Sequence, residues 1–284
     1  MPRIIRTTQE IGFCFGVKRA IEMLENAAKK NPQIDTLGPL VHNEQVLDRL
    51  SSKGINIVSG PVEIRAPVAA ISAHGVGPVI ESELAAKSIT LIDTTCPDVK
   101  RAQKAARELA QNGFWVIVFG DAGHQEVQGI LGWADGNGVA ALNIDDVKKL
   151  GRLPRRLGLL SQTTQTPDNF AIFAQELVEL SLPDAAEIRL VNTICNGVRK
   201  RQLEALELAQ KSDLMLVIGS RTSANSNRLF KICAPKTETY LINTAADIDP
   251  IWLEGKKSVG VTSGTSTSQE TIGAVLDKLH NLRQ

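Results

Sequence analysis

The sequence predicts an α/β protein made of three similar units, each with a small parallel sheet, in a pseudo-threefold arrangement around a central site. The first observation is a motif of a cysteine, two further residues, a valine and basic residues, which recurs at Cys14, Cys96 and Cys195. The second is a helix-forming stretch rich in Ala, Leu, Glu and Lys after each cysteine. The third is the alternation of apolar runs with amphipathic stretches, which is typical of parallel sheets covered by helices.

The three predicted units share one order of elements. After the helix that follows each cysteine come a strand, a polar loop and a helix, then a second strand, loop and helix, and a final strand that runs into the next cysteine. The final strands are ITLIDTTC and IRLVNTIC, and RIIRTTQEIGFC plays the same part for the first cysteine. We therefore assign the units to residues 10–94, to residues 95–193, and to residues 194–284 together with 1–9.

Polar residues recur at fixed positions in the loops of these units. The residues 28 positions after each cysteine are His42, His124 and Ser223, and those two positions further on are Glu44, Glu126 and Asn225. The loops after the second strands carry His74, Thr163, Thr164 and Ser266. In proteins with open parallel sheets, ligands bind at the loops beyond the carboxyl ends of the strands. The repeat therefore predicts that all these residues face one site.

Composition excludes several classes of protein. The formal net charge is +1 and aromatic residues make up 4% of the chain, so neither a basic surface nor a base-stacking platform for nucleic acid is expected. No apolar run approaches the length of about 18 residues that a membrane-spanning helix needs. The N-terminus lacks the apolar segment of a signal peptide. We expect a cytoplasmic protein that binds neither nucleic acid nor membrane.

The cysteines are expected to be reduced thiols, because the cytosol disfavours disulfides. Their position at helix N-termini predicts lowered pKa values and good ligands for soft metals. Three cysteines could hold zinc with an open position, or an iron–sulfur cluster with one iron that lacks a protein ligand. Their wide spacing favours the cluster, so the central site is predicted to be an iron–sulfur site. Cys233 breaks the repeat and is interpreted as a packing residue.

The polar loops open helices, and hydroxyl, amide and imidazole groups at helix N-termini form an anion site. A phosphate or diphosphate ligand is therefore predicted. The alternative is that each Ser or Thr only caps its helix and each His is an ordinary loop residue. Glu126 or its repeat equivalent Glu44 could donate a proton, although the helix dipole alone favours an acid in the first turn. The repeat does not decide between the two glutamates.

Nine motifs, in order over essentially the whole chain, are similar to those of the 4-hydroxy-3-methylbut-2-enyl diphosphate reductase family. They are GFCFGVKRAI, VHNEQV, SAHGVGP, DTTCPDV, GHQEVQG, SQTT, NTICNG, GSRTSANSNRL and GVTSGTS. Three residues depart from the family's common pattern: Gln125 replaces proline, Thr222 replaces asparagine and Ala224 replaces serine. Because Ala224 lacks a hydroxyl donor, binding there is expected to use backbone N–H groups.

The resemblance implies a 4Fe-4S cluster on Cys14, Cys96 and Cys195, with a fourth iron open to the substrate oxygen. It implies that an allylic diphosphate substrate is bound by His42, His74, His124, Thr163, Thr164, Ser223, Ala224, Asn225 and Ser266. It also implies that Glu126, rather than Glu44, takes part in proton delivery and that Thr163 positions the relay. The family reaction removes an allylic hydroxyl with two electrons and two protons, giving isopentenyl and dimethylallyl diphosphates plus water. The expected electron donor is a reduced ferredoxin or flavodoxin.

Three other functions are weighed against this one. Another three-cysteine cluster dehydratase, such as quinolinate synthase, fits the threefold design but not the GHQEVQG, SAHGVGP and SANSNRL loops. A non-catalytic redox or iron sensor would need an output surface, and no basic patch, helix-turn-helix signal or extra domain is evident. A zinc hydrolase is the third, and analysis of iron and acid-labile sulfide would distinguish it.

Overall fold

A computed structural model describes residues 3–41 and 43–282 of the chain. The fold divides into two compact units. The terminal unit consists of the described residues of Met1–Lys18, Val41–Arg49 and Asn196–Gln284, and the middle unit of Arg19–Leu40 and Leu50–Cys195. Three four-stranded sheets are formed by the described residues, and all of their strand pairs are parallel. This confirms the predicted α/β class with three similar sheets.

The strands carry labels in chain order. They are β1 (Ile4–Thr7), β2 (Ile34–Leu37), β3 (Ile55–Val58), β4 (Val68–Ile71), β5 (Thr90–Asp93), β6 (Trp115–Phe119), β7 (Gly138–Ala141), β8 (Arg156–Ser161), β9 (Glu187–Val191), β10 (Leu214–Ile218), β11 (Glu238–Ile242) and β12 (Ser258–Ser263). The sheet orders are β3-β2-β4-β5 and β7-β6-β8-β9 in the middle unit, and β11-β10-β12-β1 in the terminal unit. In every sheet the first strand of the repeat lies between the second and the third. The N-terminal strand β1 pairs with β12, as predicted.

The α-helices are also labelled in chain order. They are α1 (Phe15–Ala28), α2 (Glu44–Ser51), α3 (Pro78–Ala85), α4 (Pro97–Gln111), α5 (Gln125–Gly132), α6 (Ile144–Lys148), α7 (Pro167–Ser181), α8 (Asn196–Ala209), α9 (Ala224–Cys233) and α10 (Gln269–Asn281). Short 3₁₀ helices cover Pro61–Glu63, Ala245–Asp247 and Pro250–Leu253. Among the described helices, none combines the length and the apolar character needed to cross a membrane.

Apolar side chains hold each unit together. In the middle unit, Phe119 on β6 packs against Phe173 of α7 with ring centroids 4.9 Å apart, and both rings are almost fully buried. In the terminal unit, Leu216 of β10 and Val261 of β12 pack with Val275 of α10, and all three are 0% exposed. Burial of such a side chain contributes roughly 1.5–3 kcal/mol, so these cores fix the strand ends that present the loops.

The predicted helices begin directly after the three cysteines. Cys96 is the N-cap of α4, and Pro97 occupies the first helical position, where a missing N–H costs nothing. The backbone N–H of each cysteine donates to a carbonyl two residues beyond a strand end. The bonds are Cys14 to Thr265 (3.1 Å), Cys96 to Ala73 (3.0 Å) and Cys195 to Thr163 (3.0 Å). The three cysteines are thus equivalent in backbone structure as well as in sequence.

Candidate active site

The most buried acid of the predicted site is Glu126, in the first turn of α5. Its side chain is 3% exposed and its carboxylate receives two hydrogen bonds from Thr163, in the turn after β8. The Thr163 N–H donates to Oε1 at 2.7 Å, and the Thr163 hydroxyl donates to Oε2 at 2.9 Å. The middle unit therefore brings together the two residues predicted to handle the proton.

Burial raises the pKa of Glu126 from its ordinary value of 4.5 to about 7. The loss of water around the carboxylate is the largest cause, and the negative charge of Asp98 acts in the same direction. The two bonds from Thr163 oppose the shift because they stabilise the ionised form. A carboxylic acid with a pKa near the working pH can both give up and regain a proton, as a general acid must.

Substitution of Thr163 by valine is expected to raise the pKa of Glu126 further. The valine keeps the backbone N–H bond to Oε1 but removes the hydroxyl bond that stabilises the carboxylate. The pH at which the acid is half ionised should therefore move upward. Infrared titration of the buried carboxyl band, with Glu126→Gln to identify that band, measures the shift. Thr163→Ser is the matched control and should leave the midpoint near its original pH; a midpoint in Thr163→Val at or below the original would contradict the account.

Asp98 is a residue of the site that the sequence analysis missed. The thiol of Cys195 donates to Asp98 Oδ2 at 3.0 Å, while the Cys195 backbone N–H donates to the Thr163 carbonyl. A run of contacts therefore joins Asp98, Cys195, Thr163 and Glu126 within the middle unit. The available signal was the position of Asp98 two residues after Cys96, in the first turn of α4. An acid there has a sufficient explanation in the helix dipole, so the sequence did not single it out.

Two of the predicted histidines are in contact in the middle unit. The rings of His74 and His124 lie edge to face with centroids 5.4 Å apart. His124 is the N-cap of α5, and its Nδ1 accepts the Glu126 N–H at 3.2 Å. In the neutral ring this places the proton on Nε2, which is then a donor. Gly75 has a φ of +70° directly after His74, a conformation that glycine adopts without strain and that turns the chain there.

In the terminal unit, the first turn of α9 carries the other polar residues. Ser223 is the N-cap and its Oγ accepts the Ser226 N–H at 3.3 Å. The next helical residues include Asn225, which is 3% exposed, and Ser226, which is 0% exposed. Neither polar atom of the Asn225 side chain, nor Ser226 Oγ, has a hydrogen-bond partner among the described residues. Buried polar groups without partners are costly, and a bound anion at this helix N-terminus could accept hydrogen bonds from the Asn225 amide N–H and the Ser226 hydroxyl.

Ser266 and Cys14 also belong to the terminal unit. Ser266 is buried, and its carbonyl accepts the Asn43 side-chain amide at 2.9 Å. Desolvation raises the pKa of the Cys14 thiol above its ordinary value, although backbone N–H groups of α1 and the charge of Arg201 act in the opposite direction. The predicted lowering of the thiol pKa at a helix N-terminus is therefore wrong for Cys14, because burial outweighs the helix terminus there.

The remaining predicted residues differ in how far they are exposed to solvent. Thr164 and Ala224 are half-buried beside Thr163 and Ser223, and His42 lies outside the described residues. Glu44 is exposed at the start of α2, unlike Glu126, so burial distinguishes the two glutamates that the repeat made equivalent. Cys233 is 0% exposed in the core between α8 and α9, and burial raises its thiol pKa to about 12, in agreement with a packing role.

The three repeated cysteines suit a soft metal group better than Cys233 does. Each is partly exposed at the start of a helix and none forms a disulfide. Within either unit, the described His, Cys, Asp and Glu side chains form no ready group of three for a metal ion. Cys14 lies in the terminal unit, whereas Cys96 and Cys195 lie in the middle unit. As donors, three accessible thiols fit an iron–sulfur cluster.

Parallel sheets, three partly exposed cysteines at helix starts and a buried carboxyl with a raised pKa are together typical of an α/β enzyme. The family model described as "LytB protein" matches residues 5–280 of the sequence. The chain belongs to the LytB protein family.

Named relatives and solved structures resemble the chain over nearly its full length. A 4-hydroxy-3-methylbut-2-enyl diphosphate reductase of Dehalococcoides mccartyi strain CBDB1 is 46% identical over 278 residues, which is 98% of each chain. The enzyme of that name from Geobacter metallireducens is 39% identical and 95% of each chain is covered. A solved structure of (E)-4-hydroxy-3-methyl-but-2-enyl diphosphate reductase, the terminal enzyme of the non-mevalonate pathway, has a TM-score of 0.72 and 34% identity, covering 98% of this chain and 99% of the other. The Plasmodium falciparum reductase structure has a TM-score of 0.88 and 28% identity, covering 98% and 88%.

Proposed function

We propose that this protein catalyses the reductive dehydroxylation of 4-hydroxy-3-methylbut-2-enyl diphosphate, the terminal step of the non-mevalonate isoprenoid pathway. One C–O bond breaks, two electrons and two protons are consumed, and the products are water with isopentenyl or dimethylallyl diphosphate. The observation that carries the proposal is the buried Glu126 carboxyl, bonded twice to Thr163 and with a pKa of about 7. The family membership and the names of its relatives give the reaction class.

We assign a 4Fe-4S cluster to Cys14, Cys96 and Cys195 as ligands. The support is their equivalence in the repeat, their partial exposure and the absence of disulfides among them. When bound, such a cluster supplies electrons and a Lewis-acidic iron without a protein ligand. The thiol of Cys195 must lose its proton to serve as a ligand, so its hydrogen bond to Asp98 belongs to the metal-free protein.

Glu126 donates the proton that converts the leaving hydroxyl into water. Its raised pKa keeps a substantial fraction protonated near neutral pH. After the proton has left, the N–H and hydroxyl of Thr163 stabilise the carboxylate, because both donate to its oxygens. The same two bonds hold the carboxyl in one orientation, so the proton is presented in a fixed direction.

The diphosphate is assigned to the polar loop residues that the repeat and the resemblance single out. In the middle unit these are the imidazoles of His74 and His124, with Thr164 beside the proton relay. In the terminal unit these are the side chains of Ser223, Asn225 and Ser266 and the backbone N–H of Ala224. His42, which lies outside the described residues, is assigned from the resemblance alone. The support is the set of buried atoms in the first turn of α9 that lack partners among the described residues.

Asn225→Leu is expected to weaken substrate binding while it makes the substrate-free protein more stable. Leucine has a similar shape and removes the two buried atoms that lack partners among the described residues, so the free energy of unfolding without substrate should rise by about 1 kcal/mol. Loss of the amide should weaken diphosphate binding and raise KM about tenfold or more. Chemical denaturation and steady-state kinetics measure the two effects. Lys231→Gln, at an exposed position of the same helix, is the control for KM, and an unchanged KM in Asn225→Leu would contradict the assignment.

The remaining assignments concern partners and location. The electrons are proposed to come from a reduced ferredoxin or flavodoxin, in agreement with the resemblance of the sequence motifs. The protein is proposed to work in the cytoplasm, because the described helices include none that could span a membrane and thiol ligands require a reducing compartment.

The deciding experiment is anaerobic oxidation of reduced viologen by the iron-loaded protein, with and without 4-hydroxy-3-methylbut-2-enyl diphosphate. The expected result is substrate-dependent oxidation that yields five-carbon diphosphates. Absence of oxidation in protein that contains iron and acid-labile sulfide would overturn the proposed reaction.

A further inference from the structure

The repeated cysteine motif ends in basic residues, and the proposed chemistry gives these residues no role. An arginine lies five residues after Cys14 and five after Cys96, and six after Cys195. These residues are Arg19, Arg101 and Arg201. The guanidinium group of each arginine donates at least one hydrogen bond to a backbone carbonyl. The position of those carbonyls in the sequence is the unexpected feature.

Arg101 of α4 contacts the loop that leads into the next cysteine. Its Nη2 donates to the carbonyls of Thr193 at 3.3 Å and Ile194 at 3.2 Å, the two residues before Cys195. The same nitrogen donates to Asp98 Oδ1 at 3.1 Å, and Asp98 Oδ2 accepts the Cys195 thiol. Arg101 therefore fixes the backbone before Cys195 and the acid beside its sulfur at the same time.

The other two arginines make the corresponding contacts. Arg19 Nη1 donates to the carbonyl of Thr95 at 3.3 Å, directly before Cys96. Arg201 Nη2 donates to the carbonyl of Gly12 at 2.9 Å, two residues before Cys14, and its Nη1 donates to the Ser263 carbonyl at 2.9 Å. In each case the arginine follows one cysteine and holds the loop before the next, and the third arginine returns to the first cysteine.

We propose that Arg19, Arg101 and Arg201 are positioning residues that fix the three cysteine-bearing loops in a cyclic order, each arginine acting on the loop of the next cysteine. The assignment of these cysteines as cluster ligands rests on the proposed function. Guanidinium groups suit this task because their several N–H donors, held in one plane, reach two or three acceptors at once. Bonds from a charged donor are also stronger than neutral ones, so each loop loses much of its freedom.

The cyclic order predicts which loop each arginine substitution affects, and a general structural role would not give that selectivity. Arg101→Gln should loosen residues 191–195 and leave residues 92–96 unchanged, whereas Arg19→Gln should loosen residues 92–96 and leave 191–195 unchanged. Both side chains are partly accessible, so these variants are expected to fold. Arg201 is 2% exposed and is left out, because its replacement would take a donor from the buried carbonyls of Gly12 and Ser263 and could unfold the protein.

The test is hydrogen–deuterium exchange of the anaerobic, iron-loaded protein, followed by peptide mass spectrometry of the two segments. Exchange in the segment that the altered arginine contacts is expected to accelerate about tenfold. This is the effect expected from the loss of one charge-assisted hydrogen bond. Release of iron to an excess of chelator should accelerate by a similar factor in both variants, and the electron paramagnetic resonance signal of the reduced protein should broaden. Arg101→Lys, which keeps the charge but presents fewer fixed donors, should give intermediate values.

Lys104→Gln is the matched control, because Lys104 is exposed on the same helix as Arg101 and pairs with Glu108 at the surface. It should exchange and release iron as the unaltered protein does. Equal acceleration of both segments, or unchanged exchange and iron release in Arg101→Gln and Arg19→Gln, would overturn the inference. If the unaltered protein contains no iron–sulfur cluster, the proposed function fails, while the exchange pattern still decides whether the arginines fix the loops.

Discussion

Replacement of Glu126 by glutamine is expected to lower turnover about 100-fold or more while iron and sulfide contents stay unchanged. Glutamine has nearly the same shape: its amide oxygen can still accept the Thr163 N–H, and its amide nitrogen can donate to the Thr163 hydroxyl oxygen, but it cannot donate a proton from a carboxyl group. The effect should fall on kcat rather than KM, because the proton is used in the reaction and Glu126 is not assigned to the diphosphate.

The same substitution should change how stability depends on pH. The folded-state pKa of Glu126 is about 7, above the ordinary 4.5, so folding favours the protonated acid and the unaltered protein loses stability as pH rises between these two values. Glu126→Gln should remove that loss and become the more stable of the two above pH 7. Viologen kinetics, iron analysis and thermal unfolding at several pH values measure these outcomes.

Glu44→Gln provides the control, because Glu44 occupies the equivalent position of the first repeat but is exposed. It should retain turnover and show no such change with pH. Full turnover in Glu126→Gln would exclude Glu126 as the proton donor, and a loss in Glu44→Gln alone would transfer the role to that residue.

The sequence predicted the repeated helices and three of the four strands in each sheet. The strands that it missed are β3, β7 and β11, which lie at the sheet edges, are four or five residues long and have few fully buried positions. Short, partly exposed strands of this kind have a weak hydrophobic pattern. The strands β1, β5 and β9 at the opposite edges are as short and as exposed, and they were predicted because each leads into a repeated cysteine. The helix α6 was missed because its five residues are too few to establish a helical period.

The family resemblance implied that Glu126 and Thr163 act together, and the structure places their side chains in direct contact. The sequence could not rank Glu126 above Glu44 without the resemblance, because the difference between them is burial rather than spacing. It missed Asp98 and the contacts of Arg101, which depend on where loops distant in sequence meet. It was wrong about the thiol pKa of Cys14, because desolvation depends on packing around the helix terminus.

Two cysteine substitutions are expected to have opposite effects on iron content and on stability. Cys96→Ser should abolish cluster binding and therefore turnover, because the alkoxide needed to replace a thiolate ligand forms far less readily than the thiolate. The fold should survive, since residue 96 is the N-cap of α4 and serine is one of the preferred residues at that position. Iron and sulfide analysis together with thermal unfolding measure both effects.

Cys233→Ser should show the reverse pattern. Its Sγ lies in the core within 3.7 Å of the Ala205 carbonyl, and a serine hydroxyl buried among apolar side chains costs about 1–3 kcal/mol of stability. Iron content should match that of the unaltered protein, because this thiol belongs to the core rather than to a helix-opening loop. Iron retained in Cys96→Ser would contradict the assignment of Cys96 as a ligand. Iron lost from a folded Cys233→Ser would show that Cys233 contributes to the iron site, contrary to the repeat. Because one variant is predicted to lose iron but not stability and the other stability but not iron, general unfolding cannot account for both results.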